Sequence, residues 1–401
     1  MRDFLYSNQT RLFTFFFTTA FGSALSSIAI LLSVEQGFKK LTFLGAALAA
    51  KTLACAIFST FVPKAITHLG LRNSFIASQL SGFLALTITG FGFHCHSFSL
   101  FILGVMLTGL PSSFLAVLMT MTLRLINQNE ANFRKTSGHR ELLNNTALLL
   151  SAIAAPLLLW KYDLYIVLII DAGSFVLGLI LFKYITLPIY QENTKTDSKI
   201  RDNLLLKKET CIFLLKTSSS LLLAGLIPLL ACSNSITLTH HLPTLLRQWL
   251  WVMETLVWIF SSLLYLYVVC SSKKPWLSNL LMCNAIWAIG FLFFKNPIAI
   301  IIIASSVSLL MSLSFQKFRD DYILHAEQKH EKIKSYSALA NFQRNFVFFI
   351  SPLLLSFLFQ HVSYLIMFSV LILIQLILWA GLFVVEQDFF KMQQLAKLEN
   401  S

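Results

Sequence analysis

Uninterrupted apolar segments of about 20 residues recur along the chain, and they constrain its fold more than any other feature. Apolar side chains make up 56% of the 401 residues, whereas charged side chains make up only 12%. A backbone inside a lipid bilayer has to satisfy its hydrogen bonds within the protein, and a run of this length does so as an α-helix. A membrane β-barrel would show shorter segments of alternating polarity. We therefore expect an all-α polytopic membrane protein.

Twelve such segments, numbered spans 1 to 12, fall into two groups of six. The first group covers about 12–33, 41–62, 74–93, 98–123, 141–160 and 164–182. The second group covers about 211–233, 249–270, 277–294, 297–315, 337–359 and 364–385. The longest hydrophilic stretch separates the groups, and its charged residues are too costly for hydrocarbon. We predict an N-terminal six-helix half at 1–185, a cytoplasmic linker at 186–210, a C-terminal six-helix half at 211–386 and a cytoplasmic tail at 387–401.

Basic residues indicate which side of the membrane each connection faces. Most of the 31 lysines and arginines fall in the termini, the linker and the connections that follow even-numbered spans. Because cytoplasmic connections are enriched in these residues, both termini are expected in the cytoplasm. The same sorting explains the net charge of +13 without a nucleic-acid partner. We expect a multi-pass protein of a bacterial cytoplasmic (inner) membrane, in contact with lipid.

Spans 5 and 11 share a short pattern. Asn145 lies eleven residues before Pro156, and Asn341 lies eleven residues before Pro352. Each asparagine follows a basic loop and lies in the fifth span of its half. Two halves of the same sense indicate parallel repeats about an axis along the membrane normal.

The most specific resemblance to a known family lies in RELLNNTALLLSAIAAPLLL and the following LYIVLIIDAGSFVLGLILFKYITLP. These stretches resemble spans 5 and 6 of the major facilitator superfamily, in its drug and siderophore export branch, the enterobactin-exporter-like permeases. Asp171, Ala172, Ser174 and Phe175 stand at the places of that branch's span 6 motif. The resemblance covers the twelve-span layout and implies a secondary transporter in which span 2 faces span 11 and span 5 faces span 8.

The loop between spans 2 and 3 departs from the superfamily pattern. That pattern has a glycine, an aspartate-arginine pair, a second glycine and a further basic residue. Pro63, Thr67 and His68 stand at the first three places, and only Gly70 and Arg72 keep the pattern. Gly70 and Arg72 are therefore the candidate gate-loop residues, without the aspartate of the superfamily's cytoplasmic gate.

Ionisable side chains within the spans are the candidate functional residues, because each would be costly in hydrocarbon. Arg344 lies on a polar helix face with Asn341 and is either a clamp for a substrate anion or carbonyl, or a structural arginine that reaches the interface. Lys51 is either a charge partner or a substrate contact, and the resemblance implies that it approaches Arg344.

Two carboxylates and one further amide complete the set of candidate substrate and coupling residues. Glu254 is a candidate for proton coupling, with a contact to outer headgroup water as the alternative. Asp171 lies on a span that is peripheral in the family layout, which favours a structural role over coupling. Asn145 is included as the counterpart of Asn341 in the repeat.

These patterns favour a secondary active exporter that uses a proton gradient to move a small amphipathic solute, either a siderophore or a drug-like compound. An importer of a small nutrient and a non-transporting receptor or scaffold stay open as alternatives. The sequence has no nucleophile-base spacing, phosphate loop or metal-ligand set, so we expect no catalytic residue, metal or cofactor and no enzyme. We expect a monomer that binds a small-molecule substrate, with an outer-membrane or periplasmic export partner as an open possibility.

Overall fold

The computed structural model describes residues 2–38, 41–127, 129–187 and 244–269, together with individual positions between 309 and 377. All regular elements of these residues are helices. Predicted spans 7 and 9 and most of the linker lie outside the described residues, so the count of twelve spans and the division into halves stay predictions.

Helices occur wherever the sequence predicts the first six spans. In chain order they are α1 (Arg2–Phe38), α2 (Leu41–Ser59), α3 (Val62–His94), α4 (Phe98–Leu107), α5 (Gly109–Ile126), α6 (Glu130–Lys161) and α7 (Leu164–Phe182). Helix α8 (Thr244–Leu264) coincides with predicted span 8 and continues into a π-helical turn at Tyr265–Val269. Five helical stretches of the described chain are long and apolar enough to cross a membrane, as expected of a multi-pass membrane protein.

Span 4 consists of two helices, α4 and α5, which are divided at Thr108. Pro111 has no backbone N–H to donate to the Leu107 carbonyl four residues earlier, and the hydrogen-bond ladder is interrupted there. Gly109 permits close packing at the same place, because a Cβ at this position would lie 2.8 Å from the Lys51 carbonyl oxygen and the Cys55 nitrogen of α2.

Two predicted loops prove to be helical. The connection that we assigned to the residues from Pro63 to span 3 is the first part of α3, which bends at Gly70 with φ 75° and ψ 167°, a conformation that only glycine adopts without strain. Most of the stretch that we assigned to a loop before span 5 is helical from Glu130, because the Asn129 side chain caps α6 by accepting from the Ala131 N–H. Hydropathy marks the apolar part of a helix and not its polar extension.

The apolar core lies between α1, α3 and α7. Phe15 is buried and contacts Phe75 edge to face at a ring distance of 5.8 Å, and Phe75 packs on Phe182 at 4.9 Å. On the opposite side of α7, Ile169 and Ile180 are exposed, as expected of a face that contacts lipid.

Candidate functional site: a central cavity and the charged cluster at its end

A cavity of about 340 Å³ lies between α1, α2, α5, α6 and the residues around 341–345. This volume falls within the range of small-molecule sites. On α1 the lining side chains Thr19, Ser23 and Ser27 are spaced by four residues, so they occupy one helix face. The cavity therefore brings predicted spans 1, 2, 4, 5 and 11 together around a partly polar surface.

Lys51 and Arg344 both line this cavity, although they are almost 300 residues apart in sequence. Lys51 is half-buried, and its Nζ donates a hydrogen bond to Ser27 Oγ at 2.5 Å. Ser27 Oγ in turn donates to the Ser23 carbonyl oxygen at 2.5 Å. The structure thus places the two predicted cations around one cavity and gives Lys51 a neutral hydroxyl as its hydrogen-bond acceptor.

Asn341 connects predicted span 11 to span 2. Its Nδ2 donates to Ser59 Oγ at 2.7 Å, at the last residue of α2. Its side-chain oxygen accepts from Asn345 Nδ2 at 3.0 Å. Seven residues earlier, the buried Lys334 donates from Nζ to Thr67 Oγ1 of α3 at 2.9 Å. These polar contacts form what we call the 2–11 seam, the contact of α2 and α3 with residues 334–345.

Asn145 makes the corresponding contact on the other side. Its Nδ2 donates to the Trp258 carbonyl oxygen at 3.0 Å and to Ser262 Oγ at 2.9 Å. Both acceptors belong to α8, so spans 5 and 8 meet as the family resemblance implies. We call this contact, together with residues 319–320, the 5–8 seam.

The 5–8 seam also holds a buried group of charged and hydroxyl side chains, which we call the Arg–Glu cluster. All members are at most 8% exposed. They come from α6, from the π-helical turn after α8 and from the residues just beyond predicted span 10. The members are Ser137, Arg140, Glu141, Tyr265, Arg319 and Asp320.

Glu141 accepts hydrogen bonds from two arginines of this cluster. Arg140 Nη2 donates to Glu141 Oε1 at 2.6 Å, and Arg319 Nη1 donates to the same oxygen. Arg140 also donates to Thr120 Oγ1 at 2.8 Å, which ties the cluster to α5. A buried carboxylate with two cationic donors is compensated electrostatically.

Asp320 is the second carboxylate of the Arg–Glu cluster. It accepts from Tyr265 Oη at 2.6 Å, from Ser137 Oγ at 2.9 Å and from Arg319 Nη2 at 3.0 Å. Burial disfavours the charged form of Arg319, but Asp320 and Glu141 outweigh this effect, and the pKa of Arg319 lies above its usual value. The guanidinium therefore stays charged and links α6 to the turn that follows α8.

The Arg–Glu cluster lies at the predicted cytoplasmic end of the cavity. Glu141 is the first residue of predicted span 5, Tyr265 is near the end of span 8, and Arg319 follows span 10. Arg140 and Glu141 also line the cavity, so they form its floor. The cavity is therefore bounded on this side by ion pairs that join α6 to the described residues of predicted span 8 and of the segment after span 10.

The remaining candidate residues lie away from the cavity or outside the described side chains. Asp171 is buried in α7 beneath α1, where it accepts from Ser174 Oγ at 2.9 Å and does not line the cavity. Gly70 forms the bend of α3, and Arg72 is exposed next to it. Glu254 belongs to α8, but its side chain is not among the described ones.

Sequence reasoning missed the Arg–Glu cluster. Arg140 and Glu141 stand at the boundary of a predicted span, where charged residues usually face water, and Arg319 lies just beyond span 10. The signal that could have identified them is the pairing of opposite charges, Arg140 with Glu141 and Arg319 with Asp320, at two span ends. Neighbouring residues of opposite charge beside apolar spans can compensate each other when buried.

Comparison with protein-family models and with curated protein sequences gives no match. Among solved structures, a mutant of the nucleoside transporter NupG is similar, with a TM-score of 0.68 and 11% sequence identity. The match covers 94% of this chain and 98% of that one. The chain therefore shares its overall fold with this transporter. At this identity the likeness concerns the fold alone, so it supports the fold that the resemblance implies, whereas membership of the superfamily and of its export branch stays a prediction.

Proposed function

We propose that the chain is a secondary active transporter that couples proton movement to export of a small amphipathic solute across a bacterial inner membrane. In this proposal two six-helix halves rock about a central site, and both termini lie in the cytoplasm. Siderophores and drug-like compounds are the candidate solutes from the sequence resemblance, and nucleosides are added because NupG is a nucleoside transporter.

The observation that carries this proposal is the cavity of about 340 Å³ with the Arg–Glu cluster as its floor. Alternating access requires a site within the bundle that is closed on one side by contacts that can separate. Arg140, Glu141 and Arg319 provide such contacts, since Glu141 belongs to α6 and Arg319 to the other side of the 5–8 seam. The Asn341 contact to Ser59 closes the 2–11 seam in the same way.

The test uses inside-out membrane vesicles with an acidic lumen, in which luminal pH is recorded as siderophores, drugs and nucleosides are added one at a time. The variants are wild type, Glu254→Gln and, as the matched control, Glu130→Gln at the exposed first residue of α6. For a proton-coupled exporter we expect one compound to collapse the gradient with wild type and with Glu130→Gln but not with Glu254→Gln.

Other results of these flux measurements would favour one of the alternative functions. Proton-driven uptake into right-side-out vesicles, with no collapse in inside-out vesicles, would replace the exporter by an importer. Saturable binding of a compound without flux in either orientation would replace the transporter by a receptor. Collapse with Glu254→Gln equal to that of wild type would leave export in place and remove Glu254 from the coupling path.

A further inference from the structure

The Lys51 ammonium has no ion-pair partner at contact distance in the described part of the chain. Its hydrogen bond goes to the neutral Ser27 hydroxyl at 2.5 Å, and none of the described carboxylates lies within the 4.0 Å of an ion pair. An ammonium carries three N–H donors, so one hydroxyl does not exhaust its capacity. Within a membrane-embedded bundle a charge without an ion-pair partner at contact distance is costly, and such a charge points to function.

The two carboxylates next to the cavity do not form an ion pair with Lys51. Glu141 is the one acidic residue among the described lining residues, and it is already bound by Arg140 and Arg319. Asp171 packs against α1 so closely that a Cβ at Gly22 would be 2.3 Å from its Oδ1. It attracts Lys51 electrostatically but does not reach it as an ion-pair partner. Neither carboxylate is placed to pair with Lys51 from within the cavity.

Positive charge is in excess over negative charge on the described lining. Lys51 and Arg140 line the cavity together with Glu141, and the Glu141 carboxylate is shared between Arg140 and Arg319. Because the surrounding protein has a low dielectric constant, this surplus attracts an anion more strongly than it would in water.

The rest of the lining suits a solute with an apolar body. Phe16, Leu115 and Phe175 provide apolar surface, and Ser112 and Asn144 provide neutral polar groups. Resting on the proposed transport function, we propose that the cavity binds an organic anion, whose carboxylate pairs with the Lys51 ammonium while its apolar body contacts these side chains. This assigns the substrate to the amphipathic anions, in contrast to a neutral nucleoside.

An anion can reach Lys51 as a soluble carboxylate or as the headgroup of an anionic lipid, since both offer an oxygen anion attached to an apolar body. The test therefore uses purified full-length protein in nanodiscs of neutral phosphatidylcholine and in nanodiscs that also contain phosphatidylglycerol. Equilibrium binding of radiolabelled 4-hydroxybenzoate is compared with binding of 4-hydroxybenzamide, which has nearly the same shape without the charge.

In phosphatidylcholine nanodiscs we expect 4-hydroxybenzoate to bind more tightly than the amide by at least about tenfold, which corresponds to about 1.4 kcal/mol. Lys51→Met removes this preference, Lys51→Arg retains it in part, and Lys135→Met, at an exposed lysine of α6, leaves it unchanged. The thermal unfolding of each variant is recorded so that loss of binding is not mistaken for loss of the fold.

Equal binding of acid and amide, absence of acid binding at millimolar concentration, or an unchanged preference in folded Lys51→Met would each overturn the anion proposal. If phosphatidylglycerol competes with 4-hydroxybenzoate and this competition depends on Lys51, the anion proposal is supported and the bound anion is identified as a lipid headgroup. The binding experiment and the transport experiment can fail separately. If the protein binds the acid through Lys51 but shows no flux in vesicles, the anion proposal stands and the transport proposal is wrong.

Discussion

The two seams contain equivalent asparagines but differ in what surrounds them. In the 5–8 seam, Asn145 lies beside the buried ion pairs of the Arg–Glu cluster. In the 2–11 seam, Asn341 donates to Ser59, and the other cross-seam bond described there joins the Lys334 ammonium to a neutral hydroxyl. One seam thus joins opposite charges, and the described contacts of the other go to neutral acceptors.

The difference originates four residues before each asparagine. Glu141 precedes Asn145 by four residues, and Ser337 precedes Asn341 by the same distance, so the two side chains correspond in the repeat. Glu141 brings a carboxylate that binds Arg319, whereas Ser337 brings only a hydroxyl. A buried ion pair is expensive to separate into two unpaired charges, whereas a hydrogen bond to a neutral hydroxyl contributes less. We therefore expect the Arg319–Glu141 ion pair to oppose opening of the cavity floor more strongly than the Asn341–Ser59 hydrogen bond does.

Removal of the Arg319 guanidinium should have the largest effect. Arg319→Ala leaves Glu141 and Asp320 buried with fewer cationic donors, and we expect a loss of about 3–5 kcal/mol in the stability of this closed arrangement. Thermal unfolding of the purified protein measures the loss. Lys135→Ala, at an exposed lysine of α6, is the control and should unfold close to the wild-type temperature.

The same variant shows whether the cluster closes the cavity. Cys55 lines the cavity, so a protein in which Cys95, Cys211, Cys232, Cys270 and Cys283 are replaced by serine reports access through Cys55 alone. We expect Arg319→Ala to increase the labelling of Cys55 by a membrane-impermeant maleimide applied to inside-out vesicles. Unchanged labelling in a folded variant would mean that the cluster is structural and does not control access.

Loss of the Tyr265 hydroxyl should have an intermediate effect. Tyr265 Oη donates to Asp320 Oδ2 at 2.6 Å, and a hydrogen bond to a charged group contributes about 1.5–3 kcal/mol. Tyr265→Phe keeps the ring and removes only this donor. Tyr267→Phe is the matched control, because Tyr267 is 81% exposed on the same π-helical turn. Equal unfolding temperatures for the two variants would contradict the assigned role of Tyr265 in the cluster.

Sequence reasoning found the helices because the bilayer imposes a signal on them. Apolar runs located the six spans that α1 to α7 form, whereas the division of span 4 into α4 and α5 is seen only in the structure. The polar first turns of α6 carry no such signal, since residues 130–140 are helical through capping and local propensity and not through hydropathy.

The candidate site was predictable in part for the same reason. Lys51 and Arg344 are conspicuous as charges inside apolar spans, and the structure places both on one cavity. The Arg–Glu cluster was not predictable from hydropathy, because its members lie at span ends, where a charged side chain can adopt either of two environments. It can face water, or it can be buried when a partner from a distant segment compensates it, as Arg319 does for Glu141. Only the fold brings residues 178 positions apart together.

The smallest effect is expected in the 2–11 seam and provides the sharpest check of the comparison. Asn341→Ala removes the hydrogen bond from Nδ2 to Ser59 Oγ and also the one that its side-chain oxygen accepts from Asn345 Nδ2. For the Asn341–Ser59 bond alone we expect a coupling of about 0.5–1.5 kcal/mol in a double-mutant cycle with Ser59→Ala. The cycle is needed because Ser59 Oγ also donates to the Cys55 carbonyl oxygen, and the single variant loses both contacts.

A second cycle with Thr87→Ala, at an exposed hydroxyl of α3 that bonds only within its helix, should show additive effects with Asn341→Ala. If the Asn341–Ser59 coupling equalled or exceeded the loss caused by Arg319→Ala, the ranking of the seams would be reversed. The neutral hydrogen bond would then hold the cavity floor, and the charged cluster would serve only to compensate buried arginines. A coupling near the lower end of the range, with a large Arg319→Ala loss, means that the Asn341–Ser59 contact separates at a lower cost than the Arg–Glu cluster.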